Sequence, residues 1–208
     1  MAQLSRSSLW IRIADRLDQA ILIALFFWLC LRLLPDGFPP QHPSTMVLLI
    51  SEAVVLFFVL TRRSTDKITL NLKDWTVALA GTTAVMLVEN TGETLFPKFG
   101  AYLIFFGFSI HFGAKLSLRR SFGIVPADRG IISSGLYAIV RHPMYLGYMI
   151  SHIGFLISMP SAWNFAVYAI AWPLLIYRII LEERLLLENT EYQAYSTKVC
   201  YRFIPGIF

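Results

Sequence analysis

Met144-Tyr-Leu-Gly-Tyr-Met-Ile-Ser-His-Ile-Gly-Phe-Leu-Ile-Ser-Met159 and Ala162-Trp-Asn-Phe-Ala-Val-Tyr-Ala-Ile-Ala-Trp-Pro-Leu-Leu-Ile-Tyr-Arg-Ile-Ile-Leu181 are two apolar runs with only Pro160-Ser161 between them. A run of about 20 such residues spans the roughly 30 Å hydrocarbon core of a bilayer. The pair therefore reads as a tight helical hairpin in a membrane. Four further runs precede it, at about residues 19–34, 45–60, 75–88 and 100–118. The expected fold is an all-α multi-pass membrane protein with about six transmembrane helices. Four spans with a shallow hairpin is the competing count, because the fifth run is short.

Composition agrees. Of the 208 residues 56% are hydrophobic and only 15% charged, against about 25% charged in soluble domains. Six spans leave no room for a separate soluble catalytic domain, so any chemistry sits at span ends or in short loops. The first run follows Arg6, Arg12 and Arg16 as a signal peptide's core would, but no small-residue cleavage site follows. Instead comes the turn-rich Pro35-Asp36-Gly37-Phe38-Pro39-Pro40, so this run is read as a retained span.

The net charge of +5 reports orientation rather than nucleic acid. In the six-span scheme, all 18 Lys and Arg except Arg32 and Lys98 fall on one side. That side carries both termini and is expected to be cytoplasmic, in a bacterial inner membrane, with anionic lipid headgroups as neighbours. Cys30 and Cys200 give neither a disulfide nor a metal framework. Ionisable residues in or near apolar runs are functional candidates by default. Glu89, beside Asn90, reads as solvated at a span end. Glu52 and His152 read as interhelical hydrogen-bond partners or as functional groups, and His111, one turn before Lys115, as a residue able to face a site.

Chemistry concentrates in Gly130-Ile131-Ile132-Ser-Ser-Gly-Leu-Tyr137-Ala-Ile-Val-Arg141-His142-Pro143-Met144-Tyr145-Leu-Gly147. Pro143 suits the first turn of a helix and pushes His142 into an extended conformation. The helix start, with its free N–H groups and Arg141, could hold an anion; interfacial anchoring is the alternative. A second cluster, Tyr177-Arg178-Ile-Ile-Leu-Glu182-Glu183-Arg184, ends the sixth run. Arg178 and Glu182 share a face at i, i+4, which by itself makes an ordinary ion pair, and Glu183 is rotated by about 100°. The hairpin is expected to gather Arg141, His142, Tyr145, Arg178, Glu182 and Glu183 into one pocket. Beyond it, Leu185, Tyr192, Tyr195 and Val199 outline an amphipathic C-terminal helix, read preferentially as a membrane-surface element without a catalytic role.

These motifs resemble the integral-membrane isoprenylcysteine carboxyl methyltransferase and phospholipid methyltransferase family. The likeness rests on Ser-Gly-Leu-Tyr137-x3-Arg141-His-Pro-x-Tyr145-x-Gly147, on Arg178-x3-Glu182-Glu183, and on Glu191-Tyr192-x2-Tyr195-x3-Val199 before Arg-Phe-Ile-Pro. It covers residues 119–208, a methyltransferase-like region following N-terminal helices in residues 1–118. It implies S-adenosylmethionine as donor, bound by Gly130, Ile131, Ile132, Tyr137, His142, Pro143, Met144, Tyr145 and Glu182. It also implies that Arg178 faces a substrate carboxylate, with Arg141 and Glu183 among the catalytic groups and no metal. The implied acceptor is lipid-like or prenylated and arrives from the bilayer. A carboxylate nucleophile needs no base. An amine would need one, with Glu183 or His142 as proton acceptor and Arg178 on a lipid phosphate. Carboxyl O-methylation is favoured, ahead of phospholipid N-methylation. Membrane sterol reductases using NADPH also resemble this tail, but have Asn where Pro143 stands; a non-catalytic membrane scaffold is the remaining reading.

Overall fold

A computed structural model describes residues 2–34, 43–89 and 95–207. The turn-rich segment between the first two runs, Asn90, Phe208 and the Arg6 side chain lie outside the described residues. Among the described residues seven α-helices follow one another: α1 (Ala2–Leu33), α2 (Pro43–Leu60), α3 (Leu72–Ala84), α4 (Pro97–Leu118), α5 (Pro143–Ser158), α6 (Ala162–Leu186) and α7 (Thr190–Lys198). Among the described residues the only β-type pairing is an isolated bridge between Ile68 and Ala127. The described residues form an all-helical fold, as the sequence predicts.

Local chemistry sets the ends that matter. Pro143 opens α5 after His142, whose backbone (φ −128°, ψ 58°) is neither helical nor the extended conformation expected of it. Ser161 caps α6 by accepting a hydrogen bond from the Asn164 N–H at 3.0 Å, and Asn189 caps α7 by accepting from Glu191 N at 2.9 Å. Two helical stretches, Pro97–Ser121 and Ala162–Leu186, are long and apolar enough to cross a membrane. The 13-residue α3 and the 16-residue α5 reach only about 20 and 24 Å at 1.5 Å per residue. They fall short of a full crossing on their own, so the expected count of six full spans is not met by length. Phe99, Tyr102, Phe105 and Phe106 on α4, and Phe165, Ile170 and Ile176 on α6, point outward. An exposed apolar belt of this extent suits lipid better than water.

The expected hairpin exists at its turn, but its arms do not pack closely on each other. The backbone of α5 lies against α4, and that of α6 against α3. The reason is glycine. Gly107 and Gly147 face each other so closely that a Cβ on Gly147 would stand 2.6 Å from the Gly107 carbonyl oxygen and 2.5 Å from His111 N. Gly100 and Gly154 repeat the approach one heptad along, much as small residues do between membrane helices. Drawn toward α4, α5 meets α6 through side chains, His152 against Tyr168 at 4.7 Å between ring centroids. The gap leaves room for a central cavity.

At one end of the bundle the first helices are tied to the loop before α5. Asp18, fully buried, accepts from Ile124 N, Val125 N, Arg62 Nη1 and Arg129 Nη2, while Asp15 pairs with the same two arginines. Arg62 and Arg129, expected as surface charges that set orientation, are buried in this cluster instead. Burial, then the neighbouring Arg129 charge, lowers the Arg62 pKa from its ordinary value.

Candidate active site

The start of α5 and the end of α6 meet, as the short connection requires. The rotation between Glu182 and Glu183 separates their roles. Buried Glu183 faces Arg141 (Nε at 2.9 Å, close but not aligned as a hydrogen bond), His142 Nε2 at 3.2 Å and Arg202 Nε at 2.7 Å, and accepts from the Tyr192 hydroxyl at 3.3 Å. Half-buried Glu182 accepts only from Tyr145 OH, at 3.1 Å, and has no cation partner among the described residues. Arg178 does not pair with Glu182. It donates to Thr82 Oγ1 at 2.9 Å and to the Gly123 carbonyl at 3.4 Å, lies 5.6 Å from the Tyr145 ring centroid, and leaves a buried Nε without a partner.

Two cavities adjoin this junction. The larger, about 230 Å³, lies between α1–α6 and is walled by aliphatic and aromatic residues with Glu52, Thr82, His111, Lys115, Tyr148, His152 and Arg178 among them. The smaller, about 70 Å³, is lined by Gly130, Ile131, Ile132, Tyr137, Arg141, His142, Met144, Tyr145, Glu182, Tyr192 and Tyr195. Met144 lines both, and Tyr145 gives its hydroxyl to Glu182 and its ring to Arg178. Of the six residues expected in one pocket, Arg178 therefore stands in the central cavity, apart from Arg141, His142, Tyr145 and Glu182. Pro143, buried at the head of α5, holds His142 and Met144 in place. Gly130 sits at φ +93°, a conformation that favours glycine, and its N–H is held by Asp128.

The tail closes the smaller cavity rather than merely lying on a membrane surface. Tyr192 and Tyr195 on α7 are buried, and Tyr195 donates to the Tyr137 carbonyl at 2.6 Å. Beyond α7, Tyr201 and Arg202 accept at their carbonyls from Arg141 N and His142 N. Burial raises the pKa of the Tyr137 and Tyr192 phenols and pushes Tyr195 to about 12, so all three remain neutral donors.

The other candidates divide. Glu89 is exposed, its backbone N–H bonded to the Asn164 side chain. His152 accepts at Nδ1 from Trp172 at 3.4 Å, and Lys115 pairs with Glu52 at 2.9 Å. His111 is buried with its Nε2 unpartnered. Sequence reasoning missed Thr82, Asp15, Asp18 and Arg202. Asp15 and Asp18, three apart on an otherwise apolar and basic helix, were the available signal.

No curated protein matches the chain. Among models of protein families, residues 100–188 match the one described as the isoprenylcysteine carboxyl methyltransferase (ICMT) family. The match runs from α4 to just past α6, over the loop, the α5 start and the Arg178-x3-Glu182-Glu183 element, so this region of the chain is similar to the isoprenylcysteine carboxyl methyltransferase family.

Proposed function

We propose that the protein methylates the carboxylate of a lipid-like acceptor, with S-adenosylmethionine as donor. Arg178 carries this reading. It is a buried guanidinium with no carboxylate partner among the described residues, on the wall of a largely apolar cavity. A buried unpaired cation is costly, an anionic acceptor offsets that cost, and a cationic amine would add to it. N-methylation would also require a free proton acceptor. Glu183 is already engaged by two arginines, a histidine and a tyrosine.

The smaller cavity's residues fit the donor. Glu182, lacking a cation, suits its ammonium, and Ile131, Ile132 and Met144 offer apolar contact to an adenosine. When bound, S-adenosylmethionine supplies an electrophilic methyl group on a sulfonium. The acceptor oxygen must reach the donor methyl directly, so Arg178 would hold the carboxylate at the edge that the two cavities share, beside Tyr145 and Met144, while Tyr137, Tyr192 and Tyr195 exclude water. Since a carboxylate is ionised at neutral pH, Arg141, His142 and Glu183 act as positioning groups that fix the α5 start to the tail. At about 70 Å³ the cavity is smaller than the roughly 150 Å³ that holds one benzene, so donor entry moves the α7 cover outward. Entry of all six apolar runs into a bacterial inner membrane, with this end cytoplasmic, belongs to the same proposal.

Detergent-purified full chain should bind S-adenosylmethionine in calorimetry; binding of NADPH in its place would overturn the assignment. With radiolabelled donor and a membrane extract, base treatment should release volatile label from a methyl ester. Label retained after base would mean N-methylation and reject the carboxylate reading.

A further inference from the structure

The central cavity is not a plain slot for a hydrocarbon. Beyond Arg178 its wall carries the Glu52–Lys115 ion pair at 2.9 Å, with side chains 17% and 7% exposed, and His111, whose buried Nε2 has no partner. His111 and Lys115 are one turn apart on α4, while Glu52 comes from α2. A wholly apolar chain pressed against this wall would strip water from two charges and an imidazole and return no hydrogen bond, the arrangement that makes buried polar groups expensive.

Volume points the same way. If about 150 Å³ is filled by one benzene, about 230 Å³ takes a group of roughly ten non-hydrogen atoms. That is the size of a medium-chain acid. We infer that the central cavity takes a small amphiphilic carboxylate with a second hydrogen-bonding group, its carboxylate on Arg178 and the second group on His111 and the Glu52–Lys115 pair. A hydroxyl suits this wall, because it can donate to a carboxylate or an imidazole nitrogen and accept from an ammonium.

The inference rests on the carboxylate reading of Arg178, and one experiment separates their failures. Full chain in lipid nanodiscs is given labelled S-adenosylmethionine with octanoic acid, with octanoic acids hydroxylated at successive carbons, or with a farnesylated N-acetylcysteine. At least one hydroxylated acid should exceed plain octanoic acid by about tenfold or more in kcat/KM, since a polar subsite discriminates against an analogue that leaves it unpaired. His111→Phe and Lys115→Met should collapse that ratio toward one, with unchanged S-adenosylmethionine affinity reporting an intact fold. Equal turnover of plain and hydroxylated acids, or a clear preference for the farnesylated substrate, overturns the inference and leaves the carboxylate reading standing. Failure to methylate any of these carboxylates, with donor binding intact, overturns both.

Discussion

Arg178 and Glu182, one turn apart on α6, share Tyr145 rather than pairing with each other: the guanidinium lies 5.6 Å from the ring centroid, and the carboxylate accepts the hydroxyl at 3.1 Å. An i, i+4 ion pair on an exposed helix contributes only a few tenths of a kcal/mol, so little is lost by keeping the two charges apart. What results is a cation available to one cavity and an anion available to the other, held at opposite parts of one aromatic side chain.

That division predicts a split between two variants. Arg178→Ala should lower kcat/KM for a carboxylate acceptor by roughly a hundredfold through lost alignment, while S-adenosylmethionine affinity measured by calorimetry stays within about twofold. Comparable loss of donor affinity would mean that Arg178 supports the smaller cavity instead.

Glu182→Gln should do the reverse. Losing one charge-assisted contact of about 1.5–3 kcal/mol weakens donor binding by roughly ten- to a hundredfold. Raising the donor concentration should restore much of the turnover. A fall in kcat at saturating donor, with affinity unchanged, would refute the role of Glu182 as the ammonium's partner.

Much of this junction was legible in the chain. Pro160-Ser161 fixes a tight turn whatever lies around it, and so brings the Arg141–Tyr145 segment to Arg178–Glu183; the rotation between Glu182 and Glu183 follows from helix geometry alone. The separation of Arg178 was not legible, because Thr82 and Gly123, which draw it away, come from α3 and a loop with no local signal. The arms of the hairpin part for a reason that was written in the sequence: Gly100 and Gly107, and Gly147 and Gly154, recur at the same spacing on two runs. The tail reads as a surface helix because its pattern gives an apolar face without saying what that face covers. In the structure Tyr192 and Tyr195 cover the site.

The glycine contact should be intolerant of side chains. Gly147→Leu places atoms where His111 N and the Gly107 carbonyl already stand within about 2.6 Å, so α4 and α5 must separate. Gly81→Ala meets Leu174 at an ordinary 3.6 Å. Size-exclusion chromatography in detergent should give a monodisperse peak for Gly81→Ala and aggregate for Gly147→Leu. Equal behaviour of the two would remove the close-packing argument.

The cluster at Asp18 should control both stability and donor binding. Asp18→Asn leaves Arg62 and Arg129 buried beside a neutral amide, and breaking a buried charge pair costs about 3 kcal/mol or more. Lys67→Ala, removing an exposed pair with Glu188, should change little. Because Arg129 immediately precedes Gly130, Asp18→Asn should also weaken S-adenosylmethionine binding below its unfolding temperature, as Lys67→Ala should not. Thermal unfolding followed by calorimetry distinguishes the two effects, and loss of stability with full donor affinity would make the cluster purely structural.

The cover over the smaller cavity should respond to the donor. The closed cavity is too small for a nucleoside, and α7 is a nine-residue helix fixed by Tyr195 donating to the Tyr137 carbonyl and Tyr192 donating to Glu183. Helices this short are marginal without tertiary contacts, so α7 should open more readily than α4 or α6 and exchange its amide hydrogens faster. S-adenosylmethionine bound beneath it should slow that exchange, since α7 resting on the bound donor must give up those contacts before it opens. Tyr195→Phe deletes one fastening, and should speed α7 exchange and raise the donor dissociation rate several-fold while leaving α4 exchange unchanged. If saturating donor leaves α7 exchange unaffected, the helix is not a cover, and entry to the cavity must be sought on the side of the Gly130 loop.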